Sequence, residues 1–277
     1  MKIVLRLMKN NNLFTIGVCI CSIWIVVALL ADVLAPYDPL YVDVLARFQP
    51  PSAQHWLGTD TLGRDVLSRV LVGSRISIGA GLLTILLAAC VGSIYGGIAG
   101  YAGGLVDEAM MRCSELVQSF PTIILALVLC AALGGSLYNT LLAMVIVWWP
   151  NYARVMRSMV LQVKSNEYVE ASRSLGASRF RIFFREILPN SIGSIVVLAT
   201  VDFGNAILLF AGLSYLGMGS PPPTPEWGYM VSEGTTNFYY WWIATFPGLG
   251  ILTMSMGANF IGDGVRDFLD PKLRKEV

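Results

Sequence analysis

Six stretches of about twenty mostly apolar residues run through this chain, and that length is what an α-helix needs to cross the ~30 Å hydrocarbon layer of a bilayer. They fall at residues 13–35, 76–101, 117–135, 137–153, 191–216 and 241–262. Only 13% of the 277 residues are charged and 55% are hydrophobic, whereas a soluble domain carries about 25% charged residues. So small a polar fraction cannot coat a soluble globule. The expectation is an all-α, polytopic membrane protein with six transmembrane helices. The net charge of +1 gives no reason to expect a nucleic-acid partner.

The first stretch, LFTIGVCICSIWIVVALLADVLA, is longer than the 7–15-residue core of a secretory signal and has no clear A-x-A site, so a retained anchor is expected. The second has no charge, and its many glycines permit close helix approach. The fifth carries Asp202 inside it. An intramembrane acid is costly and faces protein or a water-filled path. Asp202 and Asn205 are therefore candidates to line such a path, with a bond to a neighbouring helix the equal alternative. Trp148, Trp149, Trp241 and Trp242 suit the interfacial aromatic belt. Pro121, Pro150 and Pro247 are expected kink sites. The cysteines at 19, 21, 90, 113 and 130 have no C-x-x-C spacing and read as small apolar residues. His55 is the lone histidine, which excludes a multi-histidine metal site and marks it as a polar surface residue.

Lys and Arg set the orientation. Lys2, Arg6 and Lys9 precede the first stretch, and Arg112 lies between the second and third. Seven basic residues from Arg154 to Arg185 lie between the fourth and fifth, and Arg266, Lys272, Arg274 and Lys275 follow the sixth. Segment 217–240 has neither Lys nor Arg, and 36–75 is mixed. The expected organisation is a cytoplasmic tail at 1–12, a first spanning helix at 13–35 and an extracytoplasmic segment at 36–75. A five-helix core at 76–262 then includes a cytoplasmic loop at 164–189, and a cytoplasmic tail occupies 263–277.

That loop contains EYVEASRSLGASRFRIFFREILPNSI at 167–192. Tyr168, Ala171, Ser172 and Leu175 share one helical face, Gly176 suits a left-handed stop, and Pro189 is expected to break the backbone. The pattern allows two readings: a helical elbow that docks in a groove of a cytoplasmic partner, or an amphipathic helix resting on headgroups. Glu170-Ala171-Ser172, three residues, Gly176, then Leu188-Pro189 resembles the E-A-A-x3-G-x9-I-x-L-P signature of binding-protein-dependent ABC importer permeases. Two departures are mild: Ser172 stands for the second Ala and Glu186 for the Ile. The resemblance implies a coupling helix that docks on an ATP-binding subunit, carried here by Glu170, Ala171, Ser172, Gly176, Ala177 and Arg179.

Four further segments in order are PYDP at 36–39, HWLGTDTLGRDVLSRVLVGSR at 55–75, LGMGSPPPTPEWG at 216–228 and VRDFLDPKLR at 265–274. Together they resemble the dipeptide/oligopeptide/nickel permease family, as the second permease of the pair. The implied fold is that of a type I ABC importer permease in a bacterial or archaeal cytoplasmic membrane. The implied partners are a second permease subunit, two cytoplasmic ATP-binding subunits, an extracytoplasmic substrate-binding protein and membrane lipid. ATP and Mg would sit on the ATPase subunits, because this chain has no G-x4-G-K-[ST] phosphate loop and no cofactor is expected on it. Peptides are the implied cargo, with nickel or a metal chelate the alternative. An ion-coupled secondary transporter and a membrane enzyme are the alternatives of other classes; no internal repeat supports the first, and a lone buried acid argues against the second. In the 55–75 segment, Asp60 and Asp65 can pair with Arg64 and Arg69, and Asp60 can cap the following helix. Asp60, Arg64 and Asp65 form either a structural network or part of an outer gate; the network is the expected reading. Segment 217–240 is a docking loop for the binding protein or an aromatic-anchored hairpin.

Overall fold

The computed structural model describes residues 11–269. Among them are helices, turns and one isolated antiparallel bridge between Thr59 and Asp65. Helix α1 is Asn12–Leu29, followed by a short α2 at Ala31–Leu34. After the segment 35–65 come α3 (Val66–Ala102), α4 (Gly104–Gln118), α5 (Thr122–Leu133) and α6 (Leu137–Lys164). The elbow follows as α7 (Glu167–Ser174) and α8 (Arg179–Ile182), which runs through a π-turn at Phe183–Ile187 into α9 (Leu188–Tyr215). Helices α10 (Trp227–Thr236) and α11 (Trp242–Leu269) complete the chain. Basic residues Lys2, Arg6, Lys9, Lys272, Arg274 and Lys275, and the end of the 265–274 motif, lie outside the described residues.

Three helical runs among the described residues are long and apolar enough on their own to cross a membrane: α1, α3 and Arg179–Tyr215. Helices α4 and α5 qualify together as a fourth. Helices α6 and α11 have 28 residues each, long enough at 1.5 Å per residue, but they are less apolar. Six helical segments thus lie over the six apolar stretches, and four of them meet the test of apolarity.

Two expected details need correction. The stretch 117–135 is not one helix: it breaks between Gln118 and Thr122, and α4 meets α5 at 85°. Pro121 has no N–H to donate and disfavours helical backbone at Phe120. The 12 residues of α5 rise only about 18 Å. Pro189, by contrast, does not break the chain. The Leu188 N–H reaches back five residues to the Phe183 carbonyl, and this wider turn accommodates the proline at the start of α9. The result is one 37-residue helical run, Arg179–Tyr215.

Packing follows from small residues. Gly92, Gly96 and Gly100 form a stripe along α3 that lies on the α6 backbone at Trp149, Ala153 and Arg157. A Cβ on Gly96 would overlap the Ala153 carbonyl, so only glycine allows this approach. Around the contact, Tyr152, Met156 and Val160 of α6 pack with Ala88 of α3 and Phe210 of α9 in the main core. Helix α11 lies against α1, with Gly257 next to Cys21. Two of the four belt tryptophans are buried in protein instead: Trp148 at 8% exposure and Trp242 at 7%.

Candidate functional site

The elbow is held from inside and open outside. Gly176 takes φ +80°, and the turn closes as Ala177 N–H donates to the Ser172 carbonyl at 3.1 Å. Ser178 then caps α8 by accepting from the Arg181 N–H at 3.3 Å. Val169 is the buried residue of α7. The face predicted to be apolar points outward: Leu175 is 89% exposed and Tyr168 46%. Glu170, Ala171, Gly176 and Arg179 are exposed, while Ser172 and Ala177 are half-buried.

Ile182 and Ile187 sink into the main core and anchor the second half of the elbow. The Tyr101 hydroxyl, at the end of α3, donates to the Arg179 carbonyl at 2.9 Å. The same ring packs edge-on against Phe183 at 5.3 Å. Lys164, ending α6, donates to the Tyr101 carbonyl at 2.8 Å. The ends of two long helices are thus tied to the elbow. Sequence reasoning missed Tyr101, because two of its contacts run through backbone carbonyls that leave no residue signature.

On the opposite side, the 55–75 motif forms a buried polar hub. Gly58 and Gly63 take φ +76° and +77°, which makes the tight turn possible. Asp60 accepts from the Leu62 and Arg64 N–H groups at 2.8 and 3.0 Å, and its other oxygen lies 2.6 Å from Arg64 Nε and 3.3 Å from Arg69 Nε. Arg64 reaches Glu233 of α10 at 3.1 Å, and Thr61 also donates to Glu233. Arg69 donates to the carbonyls of Pro39 and Pro223 at 3.2 and 3.4 Å. The Asp60, Arg64 and Arg69 side chains are at most 2% exposed. Two carboxylates against two guanidiniums balance the charge, which is what burial of ions demands. Asp65 rather than Asp60 caps α3, accepting from the Ser68 N–H at 2.8 Å. His55 is not a free surface residue: its Nδ1 lies 2.9 Å from Asp65, and its side chain is 15% exposed.

Glu226 and Glu233 escaped sequence reasoning: Glu233 joins Arg64 from 169 residues away and Glu226 joins Ser77 from 149, although the cap Glu226 makes on α10 is local. Glu226 caps α10, accepting from the Gly228 and Tyr229 N–H groups at 2.9 Å, and takes a third bond from Ser77 of α3 at 3.0 Å. Burial pushes its carboxyl up from the ordinary carboxylate range. Helix α10 is therefore fastened to α3 near one end through Glu226 and to the Asp60–Arg64 turn near the other through Glu233. Asp202 lies beside Tyr152 and Trp148 of α6. Asn205 is exposed.

A helical membrane bundle with an outward-facing elbow between two long helices has the form of a transporter's membrane subunit. Residues 92–275 match the family described as the binding-protein-dependent transport system inner membrane component, and residues 1–51 match the N-terminal transmembrane domain of oligopeptide transport permease C. The chain belongs to this family of ABC importer permeases, and it is a multi-pass inner-membrane protein. It is 42% identical to a probable D,D-dipeptide transport system permease of Escherichia coli (strain K12), over 96% of this chain and 90% of the relative. The oligopeptide transport system permease of Bacillus subtilis (strain 168) is also 42% identical, over 96% and 88%. The nickel transport system permease of E. coli (strain K12) is 39% identical, over 94% and 95%. The fold is that of the inward-facing MetNI methionine ABC transporter, with a TM-score of 0.60 and 16% identity over 73% of this chain and 97% of that one.

Proposed function

We propose that this chain is one of two permease subunits in an ATP-driven importer of di- and oligopeptides. In this reading six spans leave both termini and the elbow in the cytoplasm, the side that the Lys and Arg distribution favours. Two ATP-binding subunits, carrying ATP and Mg, dock on the elbow of this chain and its counterpart in the second permease. A binding protein delivers cargo to the outer segments 36–75 and 217–240. The carrying observation is the elbow's polarity of burial: Leu175 and Tyr168 face out while Val169, Ile182 and Ile187 are buried. A helix resting on headgroups needs no such inward tether at Tyr101, Arg179 and Lys164. ATP closure pulls the two elbows, and their ties to α3 and α6 carry that displacement into the spans.

The relatives' names support peptide as cargo, and the nickel permease at 39% identity supports the second reading, a metal chelate. The test is uptake in vesicles holding the complete assembly, with labelled dipeptide and labelled nickel run in parallel. Dipeptide uptake that vanishes when the ATPase's phosphate-loop lysine is changed is the expected result. Uptake surviving that change defeats the ATP-driven reading, and nickel uptake without peptide uptake selects the second cargo.

A further inference from the structure

The second half of the elbow and the end of α3 leave a groove between them. Its volume is about 610 Å³, within the ~300–1,000 Å³ that ligand pockets span. Ile94, Ile98 and Tyr101 form one wall, at i, i+4 and i+7 along α3. Phe180, Phe184 and Leu188 form the other. The Phe183 ring is the floor, lying on α3 at Gly97, where an added Cβ would stand 3.2 Å from it. From Ser93 to Tyr101 the groove follows α3 for about 12 Å. At the end of α3 the two walls meet, where the Tyr101 hydroxyl bonds the Arg179 carbonyl.

The walls are apolar and bare, while the end is basic. Phe180 is 72% exposed, Ile94 60% and Ile98 52%. The Arg179 side chain lines the groove, and among the described residues nothing accepts from its guanidinium. Residues 173–185 hold four arginines and no acid. None of the four is in an ion pair among the described residues. Lys164 adds another cation, 5.6 Å from the centre of the Tyr101 ring. Helix α3 is long and apolar enough to cross a membrane, so this basic end lies where a spanning helix finishes. Close packing of another helix calls for small residues, and α3 uses Gly92, Gly96 and Gly100 against α6. The Ile and Phe side chains of the groove hold a helix backbone away but admit a single hydrocarbon chain.

We propose that the groove holds one acyl chain of an anionic phospholipid, with the lipid phosphate on Arg179. The chain covers the bare Ile and Phe faces, and the guanidinium takes two phosphate oxygens in bidentate fashion. Basic pockets at the cytoplasmic ends of spanning helices select anionic headgroups in this way. A zwitterionic lipid offers the same chain but brings a second cation beside the arginines, which repel it. Glu170 and Leu175 stay free for the ATP-binding subunit. The inference asks only that α3 cross a membrane, so it stands apart from the import reading.

The complete assembly is placed in phosphatidylcholine nanodiscs that carry a trace of lipid with a photoactivatable diazirine on one acyl chain. The probe is phosphatidylglycerol in one set and phosphatidylcholine in the other, and crosslinked peptides are mapped by mass spectrometry. The phosphatidylglycerol probe is expected to mark Ile94, Ile98, Phe180 and Phe184 about fivefold more, one arginine's share of the attraction to an anionic lipid. Arg179→Gln is expected to abolish the preference, and Arg179→Lys to keep it, since the charge remains. Should Arg179→Gln lower the chain level, the unaltered assembly decides. There, excess unlabelled phosphatidylglycerol is expected to suppress the marking, and unlabelled phosphatidylcholine is not. Equal marking by both probes is ordinary contact with the bilayer and overturns the proposal. Marking by neither shows that protein covers the groove in the assembly and overturns it too. A preference that survives Arg179→Gln overturns the placement of the phosphate.

Discussion

Around Arg64 the charged side chains turn inward, and around Glu170 they turn outward. The hub pairs Asp60 and Glu233 with Arg64 and Arg69 and seals them from solvent. The elbow leaves Glu170, Arg173 and Arg179 on the surface and spends its buried contacts on Val169, Ile182 and Ile187. Both regions contain tight glycine turns with positive φ, at Gly58 and Gly63 and at Gly176. At Gly58 and Gly63 an added Cβ would strike the backbone of Gln49 or Asp43, whereas nothing lies within 4 Å of one on Gly176. The hub's charges are thus paired within the chain, with Arg69 Nη2 the buried nitrogen that is left without an acceptor. The elbow keeps its charged side chains on the surface, as the proposed docking on an ATP-binding subunit requires. A motif rich in charges is a docking surface only when those charges are left without partners at home.

The largest expected effect tests the hub. Arg64→Ala leaves Asp60 and Glu233 buried with too little positive charge, and breaking a buried pair in this way costs about 3–5 kcal/mol. The chain is expected to fall sharply in the membrane fraction and to melt earlier in detergent. A normal level with uptake abolished breaks the comparison, because the hub is then part of a gate. Next comes Leu175→Asp on the elbow. The side chain is 89% exposed, so chain level should stay unchanged. A central interface anchor typically contributes about 2–4 kcal/mol, so copurification of the ATP-binding subunits should be lost. Loss of the chain itself, with no loss of ATPase binding per surviving molecule, contradicts the docking role.

Much of this contrast was legible in the sequence, for physical reasons that differ by region. The elbow is local: a helical face at 168, 171, 172 and 175, a glycine stop and a second amphipathic turn lie within about twenty residues, so spacing alone outlines it. The hub was half legible. Pairing of Asp60 with Arg64 is a four-residue contact, but Glu233 joins from 169 residues away and nothing near either residue announces it. Capping by Asp60 was the wrong choice between two aspartates, because the positive φ at Gly63 turns Asp60 inward and leaves Asp65 at the helix start. The prolines divided: Pro121, an expected kink site, lies at the 85° break between α4 and α5, whereas Pro189 sits in a helix it was expected to end. The difference is the π-turn before Pro189, which no periodicity of 3.6 reveals.

The finest test of the comparison is Tyr101→Phe. The hydroxyl bonds the Arg179 carbonyl at 2.9 Å in a partly solvated place, so its removal should cost no more than about 1 kcal/mol. The ring remains, with its edge against Phe183 and Lys164 above its face. Chain level and ATPase copurification are therefore expected to stay near normal. What should change is transmission, because this hydroxyl is the polar bond that ties α3 to the start of α8. ATP hydrolysis by the assembly is expected to persist while uptake per ATP falls by a factor of about five, the rate equivalent of ~1 kcal/mol. Unchanged coupling shows that the buried Ile182 and Ile187 carry the displacement without the hydroxyl. A fall in ATPase binding instead places Tyr101 in the docking surface itself, and the division between an anchored inner side and an open outer side of the elbow no longer holds.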